Sequence, residues 1–141
     1  MKRYSCHMVA EDAAPNIVCT SPEEVARFCK DVLCLYESPQ ELVYVFYLNT
    51  KGGFVGYELV AKGGISDALV YPRDIFRGAI VLNAASIIMV HSHPSGDPTP
   101  SQIDVDLTKR LSECGDLLGI RLLDHIIIGE SYFSFRQEGR L

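Results

Sequence analysis

Two histidines separated by one residue are the feature of this sequence best suited to chemistry. His91 and His93 follow an apolar run over 86–91 that is typical of a buried strand. Because side chains alternate between the two faces of a strand, both imidazoles should point to one side and Ser92 to the other. Imidazole nitrogens suit Zn²⁺, so the pair predicts a metal site at the end of this strand.

A carboxylate could complete such a site. Asp104 lies eleven residues after His93, in the expected first turn of a helix that begins at Ser101. The segment between them contains three prolines and a glycine, which stiffen it and could fold the helix start back over the strand end. Ser101 and Asp104 also fit a helix-capping pattern by themselves. A helix cap alone does not explain why the two histidines precede it, so we favour Asp104 as the third metal ligand. A water molecule would then occupy the fourth tetrahedral position.

The elements that must position these residues alternate between helix and strand. Ser21 and Pro22 are typical of a helix start, and Gly52 and Gly53 supply a turn between two runs rich in β-branched and aromatic residues. We expect helices over 21–35, 72–82 and 101–118, a β-hairpin over 41–48 and 54–60, a short extended piece at 69–71, and strands over 86–91, 121–128 and 132–135. This pattern predicts an α/β (α+β) domain with a mixed sheet flanked by helices.

Composition narrows the function classes. The 141 residues are 48% hydrophobic and 22% charged, which suits a single folded domain. A formal net charge of −5 does not favour DNA as a partner.

The odd count of five cysteines without CxxC spacing indicates free thiols. With no leader-like or membrane-length apolar run, we expect a cytoplasmic protein that makes no membrane contact.

Longer stretches of the sequence resemble a known family. The spacing of His91, His93, Ser101 and Asp104 matches the H-x-H-x7-S-x2-D core of the JAMM (MPN+) metalloprotease motif. Residues 91–101 read HSHPSGDPTPS, which is similar to the HNHPSGDPTPS string of the bacterial RadC family, and LDHIIIG followed by YFSF near the C-terminus is typical of the same family. Ser92 replaces the more usual Asn, but Ser is found there in the wider JAMM group. The resemblance covers roughly residues 21–141.

The resemblance implies a fold and a domain organisation. Residues 21–141 would form one JAMM/MPN-like (cytidine-deaminase-like) domain, preceded by a loosely ordered arm over 1–20. Full-length RadC proteins also carry a helix-hairpin-helix region, and the segment before Ser21 is too short for one. This, with the acidic charge, weakens the DNA-repair function that the family name implies.

The resemblance also implies a mechanism. The family motif requires an upstream glutamate, for which Glu58 in the second hairpin strand is the first candidate and Glu41 the weaker one. Zn²⁺ held by His91, His93 and Asp104 would activate a water, Glu58 would be the general base, and Ser101 would donate to the oxyanion. The resemblance thus implies a metallohydrolase that cleaves an amide or isopeptide bond in a peptide or protein substrate.

Two other functions stay open at this point. A metal-dependent nuclease could use the same zinc site, and a non-catalytic module could be stabilised by zinc and bind a partner protein at an exposed sheet edge. His125 lies in an apolar stretch, so we expect a core residue or a neighbour of a ligand rather than a ligand.

Overall fold

The computed structural model describes residues 1–12, 21–63 and 70–141, and within them the chain forms a mixed α/β domain. The helices are α1 (Pro22–Asp31), α2 (Pro72–Val81) and α3 (Gln102–Leu118), with a short 3-10 turn at Leu35–Glu37. The strands are β1 (Leu42–Leu48), β2 (Phe54–Lys62), β3 (Ser86–Ser92), β4 (Arg121–Ile128) and β5 (Tyr132–Ser134). The predicted fold class is confirmed, and most element positions agree with the hydrophobic pattern.

The five strands lie in the order β2-β1-β3-β4-β5. β1 pairs antiparallel with both β2 and β3, and β4 pairs antiparallel with β5. β3 and β4 are parallel and are connected through α3. The carboxyl ends of β3 and β4 therefore meet the start of β1 at one edge of the sheet.

Two of the expected elements differ. Helix α1 ends at Asp31 rather than near Leu35, because Cys34 has φ 50° and a left-handed residue cannot continue a right-handed helix. The extended piece predicted at 69–71 is not a strand over the two residues that are described, since Tyr71 is the N-cap of α2. Residue 69 lies outside the described residues.

Apolar side chains cover both faces of the sheet. Helices α2 and α3 pack on one face against alternate residues of the central strand, among them Ile87 and Met89. Helix α1 packs on the other face against Ile88 and Val90. All seven residues of β3 are buried. By the same alternation, His91 continues the row of Ile87 and Met89 and lies on the side from which α3 approaches.

The described part of the N-terminal arm has no regular secondary structure. Residues 1–12 are exposed and adopt neither helix nor strand, and residues 13–20 of the expected arm lie outside the described residues. Cys6, Cys29, Cys34 and Cys114, the cysteines within the described ranges, are free. No helix over 21–63 or 70–141 has the length and hydropathy to cross a bilayer.

Candidate metal centre

Three side chains converge where β3 ends and α3 begins. His91 Nε2 lies 3.3 Å from Asp104 Oδ1, and His93 Nε2 lies 3.4 Å from Asp104 Oδ2. The two Nε2 atoms are 2.9 Å apart, so both imidazoles point to one side, as strand alternation predicts. Ligands held about 2.0–2.1 Å from a tetrahedral zinc ion are separated by roughly 3.3 Å. The spacing of these ligand atoms therefore fits zinc.

The chemistry of the donors fits as well. His93 Nδ1 lies 2.8 Å from the Asp97 carbonyl oxygen. Because a carbonyl oxygen only accepts, His93 carries its hydrogen on Nδ1 and presents the Nε2 lone pair to Asp104 and His91. A carboxylate oxygen and an imidazole lone pair at this separation repel unless a proton or a cation lies between them. Two imidazoles and a carboxylate form a donor set that zinc prefers.

Burial and hydrogen bonding set the charges of these groups. Burial lowers the pKa of His91, whereas the hydrogen bond with Asp104 raises the pKa of His93. Burial alone would raise the pKa of Asp104, but its close polar contacts with His91 and His93 outweigh burial and hold that pKa well below its usual range. Asp104 is therefore a carboxylate and His91 a neutral ligand at neutral pH, the states that metal binding requires.

Asp104 and Ser101 also form the predicted helix cap. Ser101 Oγ accepts a hydrogen bond from the Asp104 N–H at 3.2 Å, and the Ser101 N–H donates to Asp104 Oδ2 at 2.7 Å. This reciprocal pair is a capping box, so one oxygen of Asp104 is held by the cap while the other faces His91. Capping and metal binding are thus compatible. The cap uses a lone pair of the Ser101 hydroxyl and leaves its hydrogen available as a donor.

The loop over 94–100 is held against the end of β4. The His93 N–H donates to the Ile128 carbonyl oxygen at 2.8 Å, and the Glu130 N–H donates to the Gly96 carbonyl oxygen at 2.7 Å. A Cβ atom on Gly129 would lie 2.2 Å from that Gly96 oxygen, so only glycine allows the two backbones to approach this closely. The loop therefore returns to the sheet and places the start of α3 over the end of β3.

A cleft of about 310 Å³ opens beside the three ligands. Its lining consists of a glutamate, a short loop segment and the first turn of α3: Glu41, His93, Pro94, Ser95, Ser101, Ile103 and Asp104. Glu41 directly precedes β1. The next residue is anchored, because the Leu42 N–H donates to the buried Ser92 Oγ at 3.0 Å. The middle residue of the HSH motif thus fixes the chain beside Glu41.

Glu58, the first candidate for the upstream glutamate, lies elsewhere. It is opposite Val45 in the hairpin, and Val45 is level with Met89, two residues before His91. Its carboxylate accepts a hydrogen bond from the Tyr47 hydroxyl at 3.2 Å and pairs with Arg77 at 3.5 Å. The structure does not bring Glu58 to the three ligands. It brings Glu41, the weaker candidate, into the cleft.

The strand order explains why Glu41, and not Glu58, lies beside the histidines. Because β1 runs antiparallel to β3, the start of β1 lies beside the end of β3, with Val43 opposite His91. Glu41 therefore lies next to the histidines, while Glu58 lies on the far strand of the hairpin. In the sequence, Glu41 stands immediately before an apolar strand. That position indicates a residue beside the histidines only when the pairing of this strand with β3 is known.

His125 is fully buried behind the ligands, where burial lowers its pKa well below the usual range. Its Nε2 atom lies 2.7 Å from His91 Nδ1, and its ring stacks on Phe135 with 4.9 Å between centroids. His125 thus contacts a candidate ligand from behind and does not face the cleft.

Comparison with known proteins identifies the family. Residues 19–140 match the family described as RadC-like JAB domain. The chain is 46% identical over 130 residues to a UPF0758 protein of Clostridium perfringens, covering 92% of this chain and 56% of that protein. It is 46% identical over 125 residues to a UPF0758 protein of Clostridium beijerinckii, covering 88% and 54%. The chain spans about half the length of the curated relatives it matches. With a family match over most of its residues and a potential metal-binding group in place, the chain belongs to the RadC family of JAB domains.

Proposed function

We propose that this domain is a zinc-dependent hydrolase that cleaves an amide or isopeptide bond. The observation that carries the proposal is the convergence of His91, His93 and Asp104 beside a cleft that His93 and Asp104 line together with Glu41 and Ser101. A purely structural zinc site is usually closed by four protein ligands, whereas a catalytic site has three and leaves one position open.

Zinc held by these three ligands would supply Lewis acidity and lower the pKa of a water molecule towards about 7. The chain supports this with a buried carboxylate and two histidines whose lone pairs face the same point. The cleft gives a substrate access to that point.

Glu41 is the general base in this proposal. Its place in the cleft lets its carboxylate take a proton from the attacking water while the water oxygen bonds to the substrate carbonyl carbon. When the C–N bond breaks, Glu41 returns the proton to the leaving nitrogen. The anchored Leu42 N–H limits the movement of the chain beside Glu41, which keeps the base in place.

Ser101 stabilises the charge that develops during this step. Its hydroxyl hydrogen is directed by neither bond of the capping box and can donate to the oxyanion of the tetrahedral intermediate. Such a donor contributes most when it is preorganised, and the cap fixes the Ser101 backbone and Oγ.

The charge of the whole chain favours an amide substrate. A bound Zn²⁺ would balance the acidic Glu41 and Asp104 of the cleft, whereas the chain as a whole has a formal charge of −5. That net charge would repel a partner held through many phosphate groups but not a neutral peptide or isopeptide bond. A peptide or protein substrate is therefore proposed over nucleic acid.

The experiment compares two glutamate variants on quenched fluorescent peptides that contain either α-linked or ε-linked lysine. Glu41→Gln should keep its zinc and lose turnover by about 100-fold or more, because the base is gone and the ligands remain. Glu58→Gln is the matched control and should keep both. Full turnover in Glu41→Gln would contradict the assigned base. Zinc-dependent cleavage of DNA but of no peptide would favour the nuclease.

A further inference from the structure

Behind the ligands lies a continuous row of four polar groups, all buried. His91 Nδ1 is 2.7 Å from His125 Nε2, and His125 Nδ1 is 2.6 Å from Thr108 Oγ1. Thr108 Oγ1 is in turn 2.6 Å from the Asp104 carbonyl oxygen. His91, His125 and Thr108 are each 2% exposed or less. The row therefore begins at the ring of one candidate ligand and ends on the backbone of a second, and its two middle members, His125 and Thr108, do not line the cleft.

The position of every hydrogen in this row follows from its last member. The Asp104 carbonyl oxygen has no hydrogen, so the Thr108 hydroxyl must donate to it. That hydroxyl has a single hydrogen, so its oxygen accepts from His125 Nδ1–H. A neutral imidazole carries one hydrogen, which leaves His125 Nε2 as an acceptor.

The last step reaches the metal ligand. Because His125 Nε2 accepts, His91 must carry its hydrogen on Nδ1 and donate it. His91 Nε2 is then unprotonated, and it is this atom that faces Asp104 and His93. The opposite tautomer would place a hydrogen where a metal ion must bind.

We propose that Thr108 and His125 are positioning residues that lock His91 in the tautomer able to bind metal. We call the pair Thr108 and His125 the lock. It contacts two candidate ligands, because His125 accepts from the His91 ring and Thr108 donates to the Asp104 carbonyl oxygen. This inference rests on the proposed function only in taking the His91, His93 and Asp104 group as a metal site. Neither residue touches the cleft, so both act through His91.

The surroundings of His125 hold its ring in one orientation. Phe135 stacks on it with 4° between the ring planes, and the Phe135 N–H donates to the His125 carbonyl oxygen at 3.0 Å. The segment that carries Phe135 is fixed by Asp124, which accepts from Ser134 Oγ at 2.6 Å and from the Arg136 N–H at 3.0 Å. A ring held on its face and at both nitrogens cannot flip to offer the other edge.

The test uses Thr108→Val, which keeps the shape of the side chain and removes the hydroxyl, with Thr108→Ser as the matched control. Without the hydroxyl, His125 has no acceptor at Nδ1 and can move its hydrogen to Nε2, which would force the His91 hydrogen onto its own Nε2. We expect zinc affinity, measured by competition with a chromophoric chelator, to fall about 10- to 100-fold in the Val variant. The Ser variant should bind zinc as the wild type does.

Two further readouts separate this role from ordinary packing. Long-range ¹H–¹⁵N spectra of the zinc-free protein should show His91 protonated on Nδ1 in the wild type and in Thr108→Ser, and a share of Nε2–H in Thr108→Val. A second pair, His125→Gln and His125→Leu, keeps the test valid if the Val variant unfolds. The Gln amide oxygen can accept from His91, so Gln should retain more zinc affinity than Leu.

The outcomes are distinct. If the wild type shows the expected tautomer but binds no zinc, the proposed function fails and the lock stands. An unchanged His91 tautomer and unchanged zinc affinity in Thr108→Val overturn the lock. Equal affinity losses in His125→Gln and His125→Leu, in step with losses of thermal stability, also overturn it.

Discussion

At the residue scale, one carboxylate caps a helix and faces two candidate metal ligands. Asp104 closes the capping box with Ser101 and faces His91 and His93 at the same time. The sequence presents these two roles as alternatives, because a capping pattern and a ligand spacing use the same residues. In the structure Asp104 Oδ1 faces His91, while Oδ2 accepts from the Ser101 N–H and also faces His93, so one carboxylate can fill both roles.

These roles can be separated by a pair of substitutions. Asp104→Asn keeps an oxygen for the Ser101 N–H but loses the negative charge, so we expect the α3 cap to survive and zinc to be lost. Ser101→Ala should keep zinc, lose about 1 kcal/mol of folding stability with the cap, and slow turnover by about 10²–10³-fold. Zinc content, thermal melting of the zinc-free proteins and turnover measure the three effects. Retention of zinc in Asp104→Asn would contradict the assigned ligand.

The pKa of His93 predicts how the zinc-free protein responds to pH. The hydrogen bond with Asp104 raises this pKa above its usual 6.5, so protonated His93 stabilises the fold fully below pH 6.5. That contribution is lost as pH rises through the folded-state pKa. Burial lowers the pKa of His91 and of His125, so these two histidines change the stability of the zinc-free protein only at pH values below 6.5.

We therefore expect the free energy of unfolding of the zinc-free protein to decrease as pH rises from 6.5, and zinc affinity to increase over the same range as the competing proton leaves. Urea unfolding at several pH values measures the first trend and chelator competition the second. His93→Gln should abolish the first trend. A decrease of similar size in that variant would assign it to another group.

At the element scale, the loop over 94–100 is positioned by its contact with the end of β4. The methyl group of Gly129→Ala would meet the Gly96 carbonyl group, displace the loop and break the bond between His93 Nδ1 and the Asp97 carbonyl oxygen. We expect weaker zinc binding with the sheet intact. Gly56→Ala, where an added Cβ meets nothing within 4 Å, is the matched control and should bind zinc normally. Wild-type zinc affinity in Gly129→Ala would show that the loop position is not set here.

The elements also show what sequence patterns can and cannot predict. Alternation along β3 places His91 and His93 on one side, and the capping pattern at Ser101 places the start of α3, because both depend on neighbouring residues. The choice between Glu41 and Glu58 depends on which strand pairs with β3, a non-local property that no local pattern contains. The same holds for the contact between His91 and His125, 34 residues apart.

At the scale of the whole molecule, the candidate metal ligands come from the central strand and from the helix that connects β3 with β4. His91 and His93 come from β3 and the residue after it, and Asp104 comes from α3. An ion bound only by the folded chain stabilises it by mass action, by about 2.7 kcal/mol at a free concentration 100 times the dissociation constant. We expect zinc to raise the melting temperature of the wild type and to leave that of His93→Ala unchanged. A zinc-induced rise in His93→Ala would place the ion elsewhere.

The central claim is that His91, His93 and Asp104 bind one zinc ion. It is tested most directly by elemental analysis of the reconstituted wild type beside His93→Ala and Asp104→Ala, with Glu58→Gln as a variant outside the group. We predict one zinc per chain in the wild type and in Glu58→Gln, and none in the other two. Absence of zinc from the wild type, or its retention in both ligand variants, would contradict the claim.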